Sequence, residues 1–89
     1  MTTLTHVAIA AKIRRIFAGA LGLELSDIGL DADLYRDLDC DDFARIEIVM
    51  AVEDYADLEI IDDAAEALKT PAQFIAYVAE RMGVGESVG

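Results

Sequence analysis

The one thiol of this chain, Cys40, sits in the run Leu38-Asp39-Cys40-Asp41-Asp42-Phe43, among three carboxylates. The thiolate is the reactive form of cysteine, and adjacent negative charge suppresses it. Direct acylation of Cys40 is therefore disfavoured, and a small buried hydrophobe is its expected role. The one histidine, His6, opens the first predicted helix with no serine or cysteine placed to pair with it, so it reads as a surface residue. Ser26 beside Asp27 reads as a turn or cap, and Ser87 as tail. The acid pairs Asp41-Asp42 and Asp62-Asp63 read as helix starts, because nothing implies a concave site between them for general acid and base work. Calcium is the remaining candidate, given Asp31, Asp33, Asp37, Asp39 and Asp41. A calcium loop needs ligands at its first, third and fifth positions, glycine at the sixth and glutamate at the twelfth. A frame from Asp31 puts Tyr35 fifth and Arg36 sixth; a frame from Asp37 puts Asp42 sixth and Ile48 twelfth. Neither frame works. No enzyme activity and no specific metal site are expected, and weak divalent binding that relieves acid repulsion stays open.

The charge is strongly one-sided. Net charge is −11, and the stretch from Asp31 to Glu66 holds fourteen acids against Arg36 and Arg45, a net of −12. The remaining residues sum to +1. Such a field repels nucleic acid and anionic lipid and draws in proteins with Lys/Arg patches. A solvated acidic face that only aids solubility is the other reading. At 89 residues, 55% of them hydrophobic, the chain suits one small domain with a compact core. No run approaches the roughly 20 apolar residues of a membrane span. The start, Met1-Thr2-Thr3-Leu4, lacks the charged lead of a secretory signal, and a single cysteine fits a reducing compartment. A cytoplasmic monomer is expected.

These residues must be placed by helices. Ile9, Ile13, Ile16, Phe17 and Ala20 recur at helical spacing, which predicts a first helix from about Thr5 to Leu21, stopped by Gly22. From Leu23 to Asp39 no long period is visible. Leu25, Ile28, Leu30, Leu34 and Leu38 should anchor that connection across the bundle, with small turns of its own. The second helix begins at Asp41 as cap and ends near Tyr55 or Ala56. Asp57 to Ile61 should bring Ile60 and Ile61 to the core. Asp63-Ala64-Ala65-Glu66 reads as the capping box of a short third helix. Thr70 and Pro71 open the last helix, whose apolar face is Phe74, Ile75, Tyr77 and Val78 up to Met82, before Gly83. No strand alternation is present. The predicted architecture is an all-α bundle, three longer helices and one short, over residues 1–83, with 84–89 a loose tail.

On a helical wheel the second helix has two apolar rows. Ala44, Ile48, Val49, Ala51, Val52 and Tyr55 suit the core. Phe43, Ile46 and Met50 lie on the other side among Glu47, Glu53 and Asp54. Phe43 is expected under the long loop. Ile46 and Met50, ringed by acids, suit a partner face with an apolar centre and a charged rim, and Met50 is flexible enough to repack against different partners.

From Leu38 to Asp54 the chain resembles, position by position, the recognition helix of acyl carrier proteins and its approach. Ile13 to Leu23 is similar to the end of that family's first helix, Leu34-Tyr35-Arg36-Asp37-Leu38 to its loop before the modified serine, and Asp62 to Val78 to its third and fourth helices. The resemblance implies a four-helix acyl-carrier bundle. It implies also that residues aligned with Ile46, Glu47, Met50, Glu53 and Asp54 meet basic patches of synthases, reductases and transferases of acyl metabolism, of fatty acid, lipid or polyketide type.

The departure is at Asp42. The family opens this helix with Asp-Ser-Leu, and the serine hydroxyl takes a 4′-phosphopantetheine arm from coenzyme A through a phosphopantetheinyl transferase. The matching triplet here is Asp41-Asp42-Phe43. A carboxylate offers no hydroxyl, and a carboxyl–phosphate anhydride would hydrolyse, so no cofactor is expected on the chain as written. A carboxylate in a first helical turn is itself stabilising by roughly 0.3–1 kcal/mol, which explains its tolerance but not its coincidence with the modification position. Three accounts of Asp42 stand: a natural docking protein that carries nothing, a deliberate replacement that traps the unmodified form, or a charge that imitates the arm's phosphodiester. An acidic helical interaction module unrelated to acyl transfer is the alternative from another class.

Overall fold

The computed structural model describes residues 6–83. They form α1 (His6–Leu21), a 3₁₀ turn (Leu25–Asp27), α2 (Asp42–Ala56), α3 (Asp62–Ala67) and α4 (Pro71–Arg81), with no strand among the described residues. The expected start at Thr5 and the expected tail lie outside these residues.

On α1 the buried residues are Ile9, Ile13 and Phe17, four apart, so one stripe of the helix faces the core. It packs against both α4 and α2. Phe17 meets Phe74 of α4 edge-on, with ring centroids 5.4 Å apart and planes at 82°, the arrangement that sets a positive rim against a negative face. Gly22 ends α1 in the left-handed region, at φ +68°, where its missing Cβ removes the usual penalty. The Leu23 N–H then returns to the Ala18 carbonyl at 3.0 Å.

The long connection is tied down by hydrogen bonds more than by leucines. Ile28 and Leu34 are fully buried and Leu38 packs against the core, but Leu25 and Leu30 are exposed at 41% and 49%, against expectation. The backbone is held directly at both places. Arg14 on α1 donates from Nε to the Ile28 carbonyl at 3.0 Å and from Nη2 to the Leu25 carbonyl at 2.9 Å. The Leu30 carbonyl accepts from Ala72 N–H at 3.0 Å. Asp33 shapes the next turn. Its carboxylate accepts from the backbone N–H of Tyr35 and of Arg36, each at 2.9 Å, and these bonds, that of Arg36 first, hold it below the usual carboxylate range.

The core stripe of α2 is Ile48, Val52 and Ala56, flanked by Ala44, Val49 and Tyr55, while Ala51 at the stripe's edge is exposed. Asp57 caps the helix in the left-handed region at φ +56°, which Asp tolerates better than most residues. Beyond it Ile60 is buried but Ile61 is exposed at 60%, because successive residues of an extended segment point to opposite sides. The capping box expected at Asp63 does not form. Ile61 occupies the N-cap position, α3 begins at Asp62, and both aspartates fall within its first turn. For α4 the box is real: Thr70 Oγ1 accepts from Gln73 N–H at 3.2 Å, and Gln73 Oε1 accepts from Thr70 N–H at 3.1 Å.

Phe74 has no exposed surface and faces Phe17 across the main helix pair. Phe74→Ala should therefore cost about 3–5 kcal/mol, close to the whole stability of a small domain. The urea midpoint measures this, and a loss below about 1 kcal/mol would contradict the packing described.

Candidate functional site

The start of α2 is built around Asp41. It is the N-cap residue in extended conformation, and its Oδ1 accepts from Ala44 N–H at 2.8 Å. That places Asp42 at the first helical position, with its side chain exposed. Cys40, just before, is 6% exposed and its thiol donates to the Asp41 carbonyl at 3.2 Å. Burial pushes the Cys40 thiol up first, and the charge of Asp41 adds to it. Desolvation, more than the neighbouring aspartates, is what holds it as a thiol.

Beside Asp42 lies an open groove of about 500 Å³ lined by Tyr35, Asp42, Arg45, Ile46, Glu66 and Lys69. The Tyr35 hydroxyl donates to Asp42 Oδ1 at 3.5 Å, the long end of hydrogen bonding. Burial raises the Tyr35 pKa and the Asp42 carboxylate adds to the shift, while Arg45 opposes it. Four segments meet here: the loop before α2, the first turns of α2, α3, and the α3–α4 linker.

The outer row of α2 is open. Phe43, Ile46 and Met50 are exposed at 70%, 51% and 61%, with Glu47 and Asp54 exposed among them. Phe43 is thus not covered by the long loop, because that loop spends its buried side chains, Ile28 and Leu34, elsewhere in the core. Glu53 is half-buried and differs from the other acids. Its Oε2 accepts from Ile60 N–H at 2.8 Å, which fastens the segment between α2 and α3. Arg45 Nη1 reaches the Ala65 carbonyl of α3 at 3.5 Å. Between these two contacts a groove of about 220 Å³ separates α2 from α3, and Ile46, Val49, Met50 and Ile60 contribute its apolar lining.

Sequence reasoning placed Asp41, Asp42, Phe43, Ile46, Glu47, Met50, Glu53 and Asp54 on one helix, and the structure brings them there. It missed Tyr35, Arg45, Glu66 and Lys69 around position 42. Arg45 was recoverable, since it lies three residues after Asp42 and so on the same side of the helix. Tyr35, Glu66 and Lys69 arrive through the fold, and no local pattern announces them.

A family model described as a phosphopantetheine attachment site matches residues 11–78. The chain is 36% identical to an acyl carrier protein of Akkermansia muciniphila over 76 residues, covering 85% of this chain and 95% of that one. It is 39% identical to an acyl carrier protein of Cyanidioschyzon merolae over 75 residues, 84% and 82% of the two chains. It is 38% identical to acyl carrier protein 2 of Pseudomonas aeruginosa over 72 residues, 81% and 91% of the two.

Two outcomes follow from the geometry. Iodoacetamide at about pH 8 should label Cys40 of the folded chain at least roughly tenfold more slowly than the urea-unfolded chain; equal rates would mean an accessible thiolate. Glu53→Ala should free the Ile60 amide. Its hydrogen exchange should rise several-fold, with about 1 kcal/mol lost in global stability, and unchanged exchange at Ile60 would show that the carboxylate holds nothing.

Proposed function

The chain belongs to the acyl carrier protein family, whose members are carriers rather than enzymes, and we propose that it acts as a docking scaffold with a fixed negative charge at its attachment position. The observation that carries this reading is Asp42 itself. It is an exposed carboxylate on the first residue of α2, directly beside an open apolar row. Attachment of 4′-phosphopantetheine needs a hydroxyl that can be esterified, and a carboxylate does not fit that chemistry. The docking side is intact in composition: Ile46 and Met50 supply an apolar centre, and Phe43 extends it toward position 42.

Binding on this surface would run in two stages. The net −12 of residues 31–66 accelerates encounter with Lys/Arg-patched enzymes such as a synthase, acyltransferase, ligase or phosphopantetheinyl transferase, and salt weakens that step. Desolvation of Ile46 and Met50 then supplies affinity, while Glu47 and Asp54 fix orientation. Glu53 would give up part of its bond to Ile60 N–H to join that rim. The compartment proposed for the chain is the cytoplasm.

Mass spectrometry after incubation with coenzyme A, magnesium and a broad-specificity phosphopantetheinyl transferase tests the reading. The chain with Asp42 should gain no mass, and Asp42→Ser should gain one phosphopantetheine. A gain by the parent overturns the fixed-charge assignment. No gain by Asp42→Ser, with its fold retained by circular dichroism, favours an interaction module outside acyl transfer.

A further inference from the structure

The two flanks of α2 differ in charge. α1 carries Lys12, Arg14 and Arg15 and no acid, while α3 carries Asp62, Asp63 and Glu66 and no base. Each flank also has its own groove. Toward α3 lies the groove of about 220 Å³, whose charged lining is Glu53 and Asp62 against Arg45. Arg45 reaches for the Ala65 carbonyl, so the two acids are what this groove offers a cationic partner. Toward α1 lies a groove of about 300 Å³, with Ile16, Ala51 and Tyr55 as its apolar lining and Lys12 and Asp54 as its charges.

In size and apolar lining the α1 groove is no poorer a landing place than the α3 groove. Glu47 stands four residues before Ala51 and Asp54 three after it, so both acids share Ala51's side of α2. The cations of α1 decide otherwise. Lys12 lies over the Tyr55 ring, 5.7 Å from its centroid, which keeps the ammonium at the groove wall. Arg15 follows three residues later on the same side of α1 and is exposed. Neither is neutralised by an acid, since the one ion pair among the described residues joins Arg36 to Asp37. Arg14 is set apart, because its guanidinium is bound to the Ile28 and Leu25 carbonyls.

An interface is selected by what repels a wrong placement as well as by what attracts the right one. We propose that Lys12 and Arg15 are specificity-determining residues for docking: they bar a Lys/Arg-patched partner from the α1 groove and turn it toward the α3 flank of α2. Like charges brought together at a closing interface are costly, and the contact falls inside the screening length of about 8 Å at physiological salt. The barrier matters only to a partner that docks on α2, so it rests on the docking reading and adds to it a direction of approach.

Methyl NMR of the full-length chain, titrated with a synthetic amphipathic peptide of leucine and lysine, separates the two flanks. Ile16 reports on the α1 groove, and Ile46 and Ile60 report on the α3 groove. In the parent chain Ile46 and Ile60 should shift, and Ile16 should shift several-fold less. In Lys12→Gln/Arg15→Gln the Ile16 shift should rise several-fold, toward that of Ile46. Arg36→Gln/Arg81→Gln removes the same charge from residues that line neither groove, and its pattern should match the parent. Three results would each overturn the barrier alone: Ile16 shifts as large as those of Ile46 in the parent, an Ile16 shift unmoved by loss of Lys12 and Arg15, or the same rise in the charge-matched control. Shifts at none of the three methyls would overturn the docking reading, and the barrier with it.

Discussion

Leu34 ties three stretches of chain together at one point. Its side chain is fully buried, its N–H donates to the Lys69 carbonyl, and its own carbonyl accepts from Cys40 N–H, both at 2.8 Å. The first bond fixes the loop before α2 to the α3–α4 linker. The second fixes where that loop ends, and so where Asp41 can cap α2. Position 42 and its surroundings inherit their placement from this knot. Tyr35 follows Leu34, Arg45 follows from the register of α2, and Lys69 is the residue whose carbonyl is held. A buried backbone pair of this kind is costly to break, because each orphaned group would lose its partner without regaining water.

The short third helix depends on a different economy. Its start carries no side-chain cap, and six residues are too few to be stable by propensity alone. What fixes it is the burial of Ile60, Ala65 and Leu68 together with two reaches from α2, Glu53 to the Ile60 amide and Arg45 to the Ala65 carbonyl. Both of those residues also line the groove between α2 and α3. The face that α2 offers to solvent and the wall that α3 offers to α2 are therefore linked through the same side chains.

Much of this was legible in the chain. The 3.6-residue recurrence of Ile9, Ile13 and Phe17, the left-handed stop at Gly22 and the Thr70-Pro71 start are local signals, and each produced the element it announced. The two-row reading of α2 also located the exposed Ile46 and Met50. Failures came where backbone partners decide. Leu25 and Leu30 looked like anchors, but Arg14 and Ala72 hold those places by hydrogen bonds to carbonyls, which leaves the side chains free to face water. Phe43 looked too apolar to be bare. The Asp63 box lost because Ile61 takes the N-cap position, two residues earlier than a cap at Asp63 would stand. At the candidate site, the residues of α2 were legible because they share one helix. Tyr35 and Lys69 meet them through the Leu34 knot and Glu66 through the packing of α3, and pairings across such sequence distances leave no periodic trace.

The placement of Asp42 also explains how the start of α2 can hold a carboxylate at this position without cost to the fold. Asp42 is at the first helical position, outside the core, and its one side-chain hydrogen bond among the described residues is the long one to Tyr35. The capping bond belongs to Asp41, the burial to Cys40 on one side and Ile48 on the other. A first-turn carboxylate is favoured by the helix dipole, so replacing a hydroxyl there introduces neither a cavity nor a buried charge. The outer row of α2 is equally indifferent, since Ile46 and Met50 lie one and two turns farther along the helix. The apolar row of α2 and position 42 thus lie on one helix but on separate side chains, and a substitution confined to position 42 leaves Ile46 and Met50 where they are.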